Sequence, residues 1–252
     1  MDPIALIAGA GGSISVPRCV GLGTRGGGWG RSVSSGFLLI LIAAGLAADP
    51  ASGSDGPRLV ITVRVHDYAR VSRATLQGGE LNAAKILRKA GIETVWLDCP
   101  LEAAGAAAPL ACQQPVGPAE IVLRILPRFA PGHGLHQGVT LGFSLVPQGN
   151  EWGTYASVFF DRVETLAEDR VASASEILGY AAAHEIGHLL LRNNQHSTVG
   201  LMRVRWNQED LRRASQGSLL FTARQSELMR AEVSARNRVL QADALPETVA
   251  RK

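Results

Sequence analysis

Half of the chain's six histidines crowd into AAHEIGHLLLRNNQHSTVGLM, residues 182–202. His184 and His188 stand four apart with Glu185 beside the first, and His196 follows eight residues after the second. On a helix, residues four apart lie on one face, one turn above the other, so both imidazoles can be directed at one point. Imidazole suits Zn2+, and a catalytic zinc takes three protein ligands and a water. Glu185 is placed to act as general base on that water, whose pKa the metal lowers to about 7. The chemistry expected is hydrolysis: attack on a polarised carbonyl, with the glutamate passing the proton to the leaving amine.

The residue types leave the third ligand open. His196 lies just past the expected end of the helix, where a returning loop can bring it under the metal. Glu209 is the acidic alternative, twenty-one residues after His188, with Asp210 beside it.

An H-E-x-x-H followed by a third histidine and then Gly200-Leu201-Met202 resembles the metzincin clan of zinc-dependent peptidases, within the zincin superfamily. The resemblance implies a Zn2+ cofactor held by His184, His188 and His196, with Glu185 as base and Met202 as the methionine of a turn beneath the metal. It favours His196 over Glu209. It implies a peptide or protein substrate laid along an edge strand, with Tyr155, Ser157 and Phe159 as the candidate strand and LGFSLV (141–146) as the alternative. The chain departs from the clan pattern H-E-x-x-H-x-x-G-x-x-H in two respects. The third histidine comes two residues late, and Leu191 stands where the clan has its glycine, which makes this a divergent member.

The elements that must position these residues begin near residue 58. RLVITVRVHDYA (58–69) alternates and is rich in β-branched residues, which predicts a strand. LNAAKILRKAG (81–91) has helical spacing and a terminal glycine. ETVWLDC (93–99), EIVLRILPRF (120–129), LGFSLVP (141–147) and TYASVFFDRV (154–163) read as further strands. Ser173 and Glu176 form a capping box at the start of a long helix, which Asn193-Asn194 is expected to stop. A last helical stretch runs over about 208–240, with a break near Gly217. The order predicts one α+β domain over 58–240: a mixed, mostly parallel sheet of four to five strands, a long active-site helix and C-terminal helices.

Residues 1–48 are of another kind. They are glycine-rich, and Arg31 then leads into an apolar run that ends in small residues, the layout of a secretory signal over about 31–48 with cleavage after Ala47 or Ala48. That run is too short for a stable membrane span. Residues 49–57 read as a linker and 241–252 as a tail. Cys19 lies in the leader, which leaves Cys99 and Cys112 as an even pair, expected to close a disulfide in the periplasm, cell envelope or extracellular space. A net charge of +3 with no basic run argues against nucleic-acid binding.

Secondary candidates are His133 and His136 in a glycine-rich loop, His66 on a strand, Arg203 and Arg205 after the turn, and Trp206 as a core residue. The composite expectation is an exported zinc metalloendopeptidase-like hydrolase. Its rivals are a non-catalytic exported zinc-binding protein and a zinc amidase with Glu209 as third ligand.

Overall fold

The computed structural model describes residues 58–101, 109–128 and 140–243. The expected leader and linker, His133, His136 and most of the tail lie outside them. All described residues belong to the unit Ser54–Lys252. In chain order the elements are β1 (Val60–Asp67), α1 (Arg73–Lys89), β2 (Glu93–Asp98), α2 (Leu110–Gln113), β3 (Glu120–Leu126), β4 (Gly142–Leu145), β5 (Tyr155–Phe159), α3 (Phe160–Ala167), α4 (Ala174–Leu191), α5 (Gln208–Ser215) and α6 (Ala223–Asp243). The fold is α+β around one five-stranded sheet ordered β2-β1-β3-β5-β4. Four strands run parallel, and β4 is antiparallel to β5.

Alternation along the strands decides which face is buried. Ile61, Val63 and Val65 of β1, Ile121, Leu123 and Ile125 of β3, and Ala156 and Val158 of β5 form one apolar layer. Against it lies α4, whose residues from Ile177 to Leu190 are all buried. A helix apolar all round needs neighbours on every side, and α4 has them: it touches α1, α3, α5, α6, β4 and β5. Helix α1 starts at Arg73, capped by Ser72, which is earlier than the sequence pattern suggests. Its Gly78-Gly79 pair weakens the local helix signal, but those glycines are where α4 comes closest. A Cβ on Gly79 would lie 2.9 Å from the Leu178 side chain.

The capping box forms as expected at the start of α4. Ser173 Oγ accepts from the Glu176 amide, and the Ser173 amide donates to the Glu176 carboxylate. The stop differs from expectation. Arg192, not an asparagine, takes the left-handed conformation, with φ 55°. That conformation is costly for a residue with a Cβ. It is held by tertiary contacts, since the Arg192 guanidinium donates to the Gly149 carbonyl and lies 5.5 Å from the Trp152 ring centroid. Asn193 instead braces the turn, its amide donating to the Leu191 carbonyl and its Oδ1 accepting from the Gln195 amide.

Two further corrections concern the strands. TYASVFFDRV stops being a strand at Phe159 and continues as α3. Tyr155, Ser157 and Phe159 cannot be the open edge, because β5 is bonded to β3 on one side and to β4 on the other. The edge strand on this side of the sheet is β4, within the alternative segment LGFSLV; β2 is the opposite edge. The break near Gly217 is present, between α5 and α6. Cys99 and Cys112 form a disulfide that ties the end of β2 to α2, with Cα atoms 5.6 Å apart.

Arg236 on α6 is fully buried, and sequence pattern alone did not single it out. Its Nε donates to Glu232 at 3.0 Å, and its other nitrogens donate to the carbonyls of Gly153, Pro118 and Leu189. It thus covers one of the carbonyls that the last turn of α4 leaves open and anchors that helix to the loop before β5.

Candidate metal centre

The histidines of α4 fall on one face because the helix is regular through both. Their Nε2 atoms approach to 3.1 Å. His184 Nδ1 lies 2.9 Å from the Leu201 carbonyl and His188 Nδ1 lies 3.0 Å from the Asn193 carbonyl. A carbonyl oxygen can only accept, so both Nδ1 atoms carry the proton. Both Nε2 atoms therefore point bare lone pairs at each other. That arrangement is repulsive unless a cation lies between them, and Zn–N bonds of roughly 2.0–2.1 Å suit the separation. The backbone carbonyls fix tautomer and ring orientation, as is usual for metal-binding imidazoles.

His196 completes the group: one nitrogen from each of His184, His188 and His196 lies within 4.8 Å of the others. It is exposed, whereas the two helix histidines are buried. Burial, then the neighbouring imidazole, holds His184 down to about 3; burial chiefly holds His188 down to about 4 and also lowers His196. All three rings are neutral near pH 7, the form that binds metal. The donor set fits zinc.

His196 arrives by a tight return. Its neighbour Ser197 donates from its amide to the Met202 carbonyl at 2.8 Å, and the Leu201 amide donates to the Leu220 carbonyl. Met202 is fully buried under the helix, its Sδ 2.8 Å from the point a Cβ on Gly187 would occupy. The Leu201 carbonyl also accepts from Trp206 Nε1, and that indole sits edge-on to His184 at 5.9 Å. Trp206 thus braces His184 as well as packing against the core. Glu209 is elsewhere: exposed on α5 and paired with Arg212 at 2.9 Å. Asp210 caps α5 with Asn207 and pairs with Arg203. His66 on β1 stacks against Tyr68, just past the strand's end, and is not one of the three grouped histidines.

Glu185 packs beneath the edge strand. Ser144 Oγ lies 2.7 Å from both the Glu185 carboxylate and the Glu185 carbonyl. Burial pushes the Glu185 carboxyl up to about 8, against the opposing pull of the Ser144 hydrogen bond. A hydroxyl has one hydrogen to give. When it donates to the helix carbonyl, its lone pair is free to accept from the protonated carboxyl. Ser144 was invisible in the sequence, because only strand register brings it opposite Glu185.

Gly142 matters for the same reason. A Cβ there would lie 2.8 Å from Glu185 Cγ and would also collide with the Ser157 carbonyl. Gly142→Ala should therefore push β4 away from α4, at a cost of about 1–3 kcal/mol, typical of overpacking. Chemical denaturation would measure the loss, and an unchanged midpoint would contradict this packing.

The histidines and Glu185 open into a cavity of about 930 Å3, bounded by β4, the end of β3 and the segment Arg203–Trp206. Among the described residues no helix is long and apolar enough to cross a membrane.

No protein-family model matches the chain, and no curated protein matches it. Among solved structures it is similar to a zinc-dependent peptidase from Methanocorpusculum labreanum (strain Z). The identity is 16%, the TM-score is 0.45, and the match covers 66% of this chain and 99% of that one.

Proposed function

We propose that this chain is an exported zinc-dependent peptidase of metzincin-like type, with His184, His188 and His196 as metal ligands and Glu185 as general base. The observation that carries the reading is the pair of buried, unprotonated Nε2 atoms facing each other at 3.1 Å, with a third imidazole at the cavity mouth. Zinc held there supplies a Lewis acid that polarises a peptide carbonyl and acidifies water.

The chain's own residues do the rest. Glu185 takes a proton from the attacking water and returns it to the departing amine. Ser144 holds the Glu185 carboxyl at the cavity wall in either protonation state, by donating to the anion or accepting from the acid. The outer edge of β4 has no strand partner among the described residues, so an extended peptide can pair with it and present its scissile carbonyl to the site. Met202 and the Leu201 carbonyl keep the floor under His184 rigid. The Cys99–Cys112 disulfide supports export to an oxidising compartment.

The rival reading is a structural zinc with no reaction. It has no use for a carboxyl held in a solvent-connected cavity beside the ligands. Chelation separates the two. The purified protein should carry about one zinc per molecule by elemental analysis. A chelator should abolish peptide hydrolysis while leaving the far-ultraviolet circular dichroism largely intact, because the sheet and α4 have their own apolar core. Loss of the folded spectrum on chelation would favour the structural role, and a zinc-loaded protein inert toward a broad peptide library would defeat the peptidase reading.

A further inference from the structure

We propose that the cleft selects peptides bearing a carboxylate close to the cleaved bond, and that Arg124 is the residue that reads it. The proposal rests on the peptidase reading of the same site and adds the substrate class. Arg124, Arg128, Arg203 and Arg205 all line the cavity that holds the three histidines. The only carboxyl among its described lining residues is Glu185, which is engaged by Ser144.

Several buried and half-buried arginines among the described residues come with a carboxylate. Arg64 has Glu120, Arg236 has Glu232, and within the cavity Arg203 has Asp210. Arg124 has no such partner among the described residues, and it differs from half-buried Arg230, which donates to the Ala90 carbonyl, in that it lines the cavity. Its Nε donates to Ser157 Oγ at 3.1 Å, and its guanidinium carbon lies 5.8 Å from the centroid of the Phe143 ring. These contacts orient the guanidinium and leave its two terminal nitrogens unpaired with any acid among the described residues. An arginine fork held in this way suits two-pronged capture of a carboxylate.

Strand register shows how a peptide would reach it. Arg124, Ser157 and Phe143 form one row across β3, β5 and β4. Successive strand residues face opposite sides, so this row lies on the sheet face away from Ser144 and Glu185. A peptide paired with the β4 edge sends alternate side chains to the two faces. One set meets the histidines, and the other meets Phe143 and, beyond it, the Arg124 fork.

The carboxylate can come from an internal Asp or Glu or from the peptide's own C-terminus, and the test has an arm for each. End-capped fluorogenic peptides carrying Glu at positions flanking the cleaved bond are compared with their Gln counterparts. A neutral peptide with a free C-terminus is compared with its amide. Two quantities are read: kcat/KM with the zinc-loaded enzyme, and binding by fluorescence anisotropy to zinc-loaded Glu185→Gln.

The acid form should be favoured about tenfold in both measurements, the scale of a charge-assisted hydrogen bond. The preference should shrink with salt and approach unity in Arg124→Gln, with Arg124→Lys retaining part of it. Preference for the capped Glu peptide assigns a side-chain carboxylate, and preference for the free C-terminus assigns a chain-end carboxylate; either result supports the proposal. Equal rates and binding for acid and amide would overturn it, as would a preference undiminished in Arg124→Gln. If no peptide is cleaved yet acidic peptides still bind better, the peptidase reading fails and carboxylate recognition stands. Cleavage without preference fails in the opposite way.

Discussion

Glu185→Gln is expected to leave one zinc per molecule in place and to reduce peptide hydrolysis by about 10²–10⁴-fold, the usual contribution of a positioned general base. The substitution preserves shape. The amide can still exchange a hydrogen bond with Ser144 and still fits beneath Gly142, where a larger group would not. The facing Nε2 atoms of His184 and His188 are oriented by the Leu201 and Asn193 carbonyls, neither of which the variant touches. Retained zinc with lost activity therefore isolates proton transfer from metal binding. Activity within a few-fold of the parent chain would remove Glu185 from the mechanism.

The second large effect separates the candidate third ligands. His196→Ala should weaken zinc binding by at least about 100-fold, since even the groups that merely support metal ligands are worth 10–100-fold. Glu209→Ala should leave affinity unchanged, because that carboxylate is exposed and paired with Arg212 on α5. Competition against a chromophoric chelator measures both constants. The reverse result, with Glu209 essential and His196 dispensable, would require α5 to rearrange and would restore the amidase-like alternative.

Physical range explains which parts of this site were legible in the chain. The capping box at Ser173 and Glu176 and the two helix histidines depend on contacts three or four residues apart, and these the sequence displays directly. The end of the same helix falls one residue before the expected stop. Asparagine is the usual choice for a left-handed stop, but at Arg192 contacts with Gly149 and Trp152 outweigh that local preference. The start of α1 is hidden in the sequence for a similar reason, because Gly78 and Gly79 depress helix propensity while making room for α4.

The open edge beside the cavity shows the boundary most clearly. Both 141–146 and 154–160 alternate like strands, and nothing in either pattern says which lies outside the other. Pairing of β5 with β3 decided it, and this moved the open edge from Tyr155, Ser157 and Phe159 to β4. By itself, then, the sequence determined the α+β class, the helix, the two histidines on one of its faces and the adjacent carboxyl, all matters of local period and spacing. Only the tertiary structure decided that His196 joins them while Glu209 does not, that β4 is the edge, and that Ser144, Leu201, Trp206 and Arg124 surround the site. Those residues meet across gaps in the chain that only strand order and helix packing close, and a one-dimensional pattern carries no record of which distant segments will touch.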